Sequence, residues 1–262
     1  MSCGARLTIY ALIIPAFFPE KWRGPMLWLI YLIGIILAII CIKLLRVTIF
    51  RGETTPFVME LPPYRMPTVK SVCIHMWQRG WMYLKKAGTI ILAISLILWF
   101  AMSYPKPAER SLAGLSTEQA QQAKLAYSVA GRIGKAIEPA LKPLGFDWKI
   151  GTALIGATAA KEVFVSQLGI VYSVGRADSP GRRSLAGESS QTLRQQLQAN
   201  YTPLTGFCIM LFCLISTPCV ATVVMTRQET NSSGWALFQF LGLTALAYAV
   251  TFVVYQLGSF LG

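Results

Sequence analysis

Apolar residues run almost unbroken over 26–46, 87–103 and 235–258. Each run has the length a helix needs to cross about 30 Å of hydrocarbon, roughly 17–25 residues. In the first, Pro25 and Arg46 are expected to mark the two ends, and Lys43 can snorkel from within it. The second is flanked by Lys85 and Lys86 on one side and by Trp99, Tyr104 and Pro105 on the other, aromatic placement that fits a membrane interface. The third is uncharged throughout.

Three further apolar stretches are irregular. Residues 7–18 contain Pro15 and are too short for a complete span. Residues 150–174 have the right length but carry Lys161 and Glu162 at their centre, so they form either one helix with buried charges or two short elements with Lys161 at the boundary. Residues 204–226 are interrupted by Ser216-Thr217-Pro218-Cys219. A proline there removes a backbone donor and clashes with the preceding turn, so a kink or unwinding is expected.

Polar connections fill the remainder, at 47–86, 104–149 and 175–202. Pro62, Pro63 and Pro67 forbid a helical ladder over 60–67. From Thr68 onward, Val69, Val72, Met76, Trp77 and Trp81 fall on one side of a 100° wheel, opposite Ser71, His75, Gln78 and Lys85. That pattern predicts an interfacial amphipathic helix leading into the span at 87. A helix is expected over Gln119–Ile137, stopped by Pro139, and a loop with a short polar helix over 175–202. The fold class is therefore all-α: a single polytopic membrane domain over 1–262, with about five or six transmembrane or re-entrant helices, some broken.

Composition supports this reading. Hydrophobic residues make up 54% and charged residues 13% of the 262, about half the charge of an ordinary soluble chain. A water-soluble fold could not hide that much apolar surface. The net charge of +13 suits an anionic membrane surface as well as nucleic acid. The basic residues lie between apolar segments, so we assign them to the membrane and expect no nucleic-acid partner. Positive-inside counting favours 43–86 and 175–202 as cytoplasmic, by twelve Lys and Arg against ten on the other side.

Little of the sequence carries recognisable catalytic chemistry. A single histidine, His75, excludes a histidine-rich metal centre, and Gly131–Ala136 lacks the glycine and hydroxyl residues of a phosphate loop. No C-x-x-C occurs among the six cysteines. Two features stand out. Lys161 and Glu162 lie in an apolar segment, where a charge costs about 2.5–3.5 kcal/mol on insertion scales. Adjacent helical residues point about 100° apart, so each needs its own partner, water or an ion. We take both as candidate path or gating charges, against the competing reading of a structural bridge. The second feature is a cysteine at an expected helix break, Cys3 beside Gly4 and Cys219 after Pro218. Broken helices free backbone carbonyls, which with a thiolate offer mixed hard and soft ligands to a divalent transition metal. Core packing is the competing explanation for any one membrane cysteine.

Four motifs occur in order: Met1-Ser2-Cys3-Gly4-Ala5-Arg6-Leu7, Val58–Pro67 with Glu60-Leu61-Pro62-Pro63, Ala160-Lys161-Glu162-Val163-Phe164, and Pro218-Cys219-Val220-Ala221-Thr222. Together they resemble the C-terminal membrane half of the ferrous iron transport protein B family, over essentially the whole chain. The resemblance implies a multi-pass protein of the bacterial inner membrane, with Fe(II) as transported ion and no permanently bound cofactor. Cys3 and Cys219 would then be transient metal ligands in two gate regions; beside them we take Glu162 as the candidate acidic path residue and Lys161 as its counter-charge or a gating partner. It also implies a GTPase-bearing N-terminal polypeptide as partner, homo-oligomerisation in membrane lipid, and no enzymatic activity in this portion itself. The alternatives are a non-transporting membrane remnant or scaffold, and a transporter of another solute.

Overall fold

The computed structural model describes residues 3–49, 66–105, 126–172, 186–216 and 219–261. Within them the chain forms helices and no strand. We number them α1 (Gly4–Phe17), α2 (Glu20–Thr48), α3 (Val69–Ser103), α4 (Val129–Leu141), α5 (Trp148–Ala159), α6 (Lys161–Val171), α7 (Ala186–Asn200), α8 (Pro203–Ile215), α9 (Val220–Thr230) and α10 (Ser233–Leu261). Three stretches among the described residues are long and apolar enough to cross a membrane: Glu20–Thr48, Pro203–Thr230 counted across its break, and Ser233–Phe260. The expected proline-bound segment at 60–65 and the polar connections at 106–125 and 173–185 lie outside the described residues.

The centre of the protein is made of short helices. α1, α6 and α8 have 14, 11 and 13 residues, so at about 1.5 Å per residue each is about 17–21 Å long and none crosses a bilayer alone. α8 is buried on every side from Cys208 to Ile215. α1 lies antiparallel to it, with Arg6 reaching Ser216 at one end and Phe17 against Gly206 at the other. α6 is also antiparallel to α8. Lys161 meets Cys213 and Ser216 at one end, and at the other the Tyr172 and Tyr201 hydroxyls bond at 2.8 Å. α2, α3 and α10 surround this centre and leave large apolar side chains such as Trp28, Ile42, Ile97, Leu241 and Leu257 exposed. An apolar girdle of that extent is stable only against lipid.

The prolines behave differently from the sequence expectation. Pro25 lies inside α2 rather than before it, and Pro139 lies inside α4, which runs on to Leu141. Each stands within two turns of a helix end, where the ring forfeits a single ladder bond and the remaining turn is held by neighbours. At the end of α4, Tyr248 donates to the Ala140 carbonyl at 2.9 Å and Gln256 to the Pro143 carbonyl at 3.1 Å, both from α10. Gly145 follows with φ of +75°, against the Tyr255 ring, a conformation and a clearance that only glycine offers. Pro15 inside α1 leaves the Ala11 carbonyl without its ladder donor, and Arg194 supplies one at 3.3 Å. From the same face of α7, Gln198 donates to the Ala16 carbonyl. α7 thus straps the C-terminal end of α1, with Leu193 and Leu197 anchoring it in the core.

Two further expectations are settled by where the helices run on and where they break: one is corrected, and for 150–174 the reading of two short elements with Lys161 at the boundary holds. The amphipathic stretch from Val69 and the apolar stretch to Ser103 form one uninterrupted helix of 35 residues, α3, because no proline separates them. Residues 150–174 do not form one helix. They fold as the hairpin α5–α6, broken at Ala160, whose φ of −148° and ψ of 131° are extended. The tight seam between α1 and α8 gives a first prediction. A Cβ on Gly206 would meet the Phe17 ring at 2.5 Å. Gly206→Val is therefore expected to destabilise the protein by about 2 kcal/mol through overpacking, read as a lowered midpoint of thermal unfolding in detergent.

Candidate functional site

Helix ends converge around the break after α8. A helix leaves its last carbonyls without ladder donors and presents a partial negative charge there. In α8 the Phe212 carbonyl is taken by the Ser216 amide at 2.7 Å. The Ser216 carbonyl accepts from Arg6 Nη2 at 3.2 Å. Lys161 Nζ donates to the Ser216 hydroxyl at 2.8 Å and makes a longer contact, 3.5 Å, with the Cys213 carbonyl. Two buried cations from α1 and α6 therefore cap one broken helix. Lys161 is only 5% exposed, yet among the described residues it has no carboxylate partner.

The position of Lys161 follows from the Ala160 break. As the first residue of α6 its side chain leaves the helix start toward α8, while Glu162, one step around the helix, is exposed. The two charges do not form an ion pair. The one ion pair among the described residues joins Arg23 to Glu20 at 3.2 Å on the surface.

Cys3 and Cys219 stand at equivalent places, as N-cap residues of α1 and α9. Neither thiol serves as a helix cap by hydrogen bonding. The Cys219 sulfur lies 3.4 Å from the Thr222 hydroxyl. Cys3 lies one turn before Arg6, whose guanidinium reaches the Ser216 carbonyl, and Cys219 lies three residues beyond Ser216, so both cysteines flank the break that Lys161 caps. Of the four residues singled out from the sequence, the fold thus gathers Cys3, Cys219 and Lys161 about one helix break and leaves Glu162 outside it. All six cysteines are free thiols; Cys208 and Cys213 are core residues of α8.

No group of three or more His, Cys, Asp or Glu side chains among the described residues converges on one point. A cation held here would need backbone and hydroxyl oxygens to complete its shell, and the break exposes such oxygens at Cys213 and Ser216. Sequence reasoning missed Arg6 and Ser216 as members of the site. The available signal was the lone charge in 1–18, in a stretch with no acidic residue to pair with it.

Comparison with known families agrees with this architecture. Residues 27–79 match the family described as ferrous iron transport protein B C terminus, and residues 84–233 match the gate family described as nucleoside recognition. An Fe(2+) transporter FeoB of Campylobacter jejuni is 40% identical over 97% of this chain. A fusion of Fe(2+) transport protein A with Fe(2+) transporter FeoB from Porphyromonas gingivalis is 39% identical over 98% of it. The FeoB of Leptospira biflexa is 36% identical across the whole chain. The chain spans only 33–39% of the length of these relatives. No solved structure matches. Two family models and relatives matched from end to end show that the chain belongs to the ferrous iron transport protein B family and corresponds to the C-terminal portion of its members.

Proposed function

We propose that this chain is the gate portion of a ferrous iron transporter, a multi-pass protein of the bacterial inner membrane through which Fe(II) crosses at the broken helices. The observation that carries the reading is the placement of Cys3 and Cys219 as N-cap residues of α1 and α9, on either side of the α8 terminus that Arg6 and Lys161 cap. Two thiols from different helices, completed by oxygens, make an open and exchangeable ligand set. A transporter needs that, because a closed four-ligand site would retain the ion. Glu162, exposed one residue from Lys161, would collect cations at the approach to the path. The chain itself carries no catalysis in this reading. Energy would come from a GTPase-bearing N-terminal polypeptide, and the assembly would be a homo-oligomer in lipid.

The description of the matching gate family makes an organic solute the competing cargo. Thiols at a cationic break favour a transition metal over a nucleoside, which would call for aromatic stacking and amide partners. Radiolabelled Fe(II) uptake in iron-starved cells lacking their own ferrous transporter tests the proposal. Uptake is expected when the chain is produced with a GTPase-bearing N-terminal polypeptide of the family, and not with either alone. No uptake by the pair, with both proteins in the membrane, would favour a non-transporting role.

A further inference from the structure

Resting on the transport reading above, we propose that the Cys213 carbonyl and the Ser216 hydroxyl form the oxygen half of the cation site, which Lys161 fills with its own ammonium when no metal is present. The incoming divalent ion must then displace a tethered cation before it can pass.

Three observations support this. First, the Lys161 ammonium is held at the end of α8 by oxygens that suit any cation, 2.8 Å from the Ser216 hydroxyl and 3.5 Å from the Cys213 carbonyl. Among the described residues it meets these neutral oxygens and no carboxylate. An ammonium in apolar surroundings without a counter-ion is unfavourable unless the site it fills is itself built for a cation. Second, both cysteines assigned as soft ligands flank the same break: Cys3 precedes by one turn the Arg6 that holds the Ser216 carbonyl, and Cys219 follows Ser216 by three residues at the start of α9. Third, the two cations differ in what they can do. Arg6 holds the Ser216 carbonyl through a planar guanidinium on the first turn of α1. Lys161 ends in a compact charge on a flexible four-carbon stem and follows the extended Ala160, so it can swing away without unwinding α6.

A divalent ion and an ammonium cannot share these acceptors, because their repulsion at contact distance is large at any plausible dielectric. Displacement therefore lowers the resting affinity of the site and returns Lys161 to the oxygens once the ion leaves. That keeps the coordination exchangeable and closes the break between transport events.

The test is an anaerobic Co(II) titration of the purified full chain in lipid nanodiscs, following the cobalt–thiolate absorption band. Lys161→Met, which removes the charge at similar length, is expected to bind Co(II) roughly ten-fold or more tightly than the wild type, since the competing charge is gone. Lys161→Arg, which keeps a cation there, should stay within about three-fold of the wild type. Lys161→Gln retains a donor to Ser216 without the charge. It should tighten binding in the same direction, and it decides the matter if the Met variant does not fold. Wild-type binding with no tightening in either neutral variant would overturn this proposal alone. Absence of thiolate-bound Co(II) in every form, with the proteins folded, would overturn the cysteine-based transport reading and this proposal with it.

Discussion

Replacing Cys219 by alanine is expected to lower Fe(II) uptake at least about ten-fold, while Cys208→Ala leaves uptake within about two-fold of the wild type. Loss of even an outer partner of a metal site commonly costs 10–100-fold, and a direct ligand in an incomplete shell should cost no less. The contrast rests on position rather than on residue type. Cys219 is half-buried at the start of α9, beside the Thr222 hydroxyl and three residues beyond the Ser216 that Lys161 caps. Cys208 is fully enclosed within α8, so its truncation leaves a small cavity worth about 1 kcal/mol and removes nothing from the path. Cys219→Ser should rescue little, because a hydroxyl is a hard and weak ligand where a soft one is required. Cys3→Ala should resemble Cys219→Ala, and the double variant should be no worse than about the stronger single one if both thiols serve one ion. Uptake by the Cys219→Ala protein as high as that of the wild type would remove Cys219 from the path. These measurements are made with the N-terminal polypeptide present, so a failure of assembly shows as loss in both variants.

How far the sequence discloses this site depends on the range of the interactions involved. Outer helices are legible because they obey local rules. The apolar runs at 26–46 and 235–258 fall inside α2 and α10, whose surfaces are set by lipid rather than by any particular partner. The break at 216–219 is legible because Pro218 announces it in the sequence, and α8 and α9 indeed end and begin on either side of it. The break at Ala160 is legible only as one of two alternatives, from the charges at Lys161 and Glu162, because alanine is the best of helix formers and nothing in Ala159-Ala160-Lys161 itself signals a turn. It is fixed instead by Lys161 bonding across to residues more than 50 positions away. The same reason hides Arg6, whose acceptor lies 210 positions further along the chain. Prolines mislead in the opposite direction. Pro15, Pro25 and Pro139 all sit inside helices. For Pro15 the freed carbonyl finds Arg194, a donor from the short polar helix expected within 175–202, whose sequence gives no sign of its partner. Local patterning therefore yields the membrane girdle and one of the two breaks, while the capping of buried helix ends belongs to tertiary structure.

Arg6→Met should destabilise the protein by about 3 kcal/mol, since it removes a charge-assisted hydrogen bond and strands the Ser216 carbonyl at a buried helix end. Methionine keeps most of the length and apolar volume of the side chain, so the loss reports on the polar contact rather than on a cavity. The shift in thermal midpoint should be nearly independent of salt, because ions screen a buried contact poorly. The sign of its coupling to Lys161 is a sharper test of the two-cation cap. In the wild type, Arg6 and Lys161 repel each other, and each single substitution relieves that repulsion while losing its own bonds. The double variant relieves it only once. It should therefore be less stable than the two single effects add up to, by an amount of order 1 kcal/mol. A double variant more stable than the sum would mean that the two side chains support each other, for example by holding Ser216 jointly. In that case Lys161 would be a structural cap of α8 rather than a charge poised to leave it, and the freed oxygens would lose their role as a waiting site for a metal.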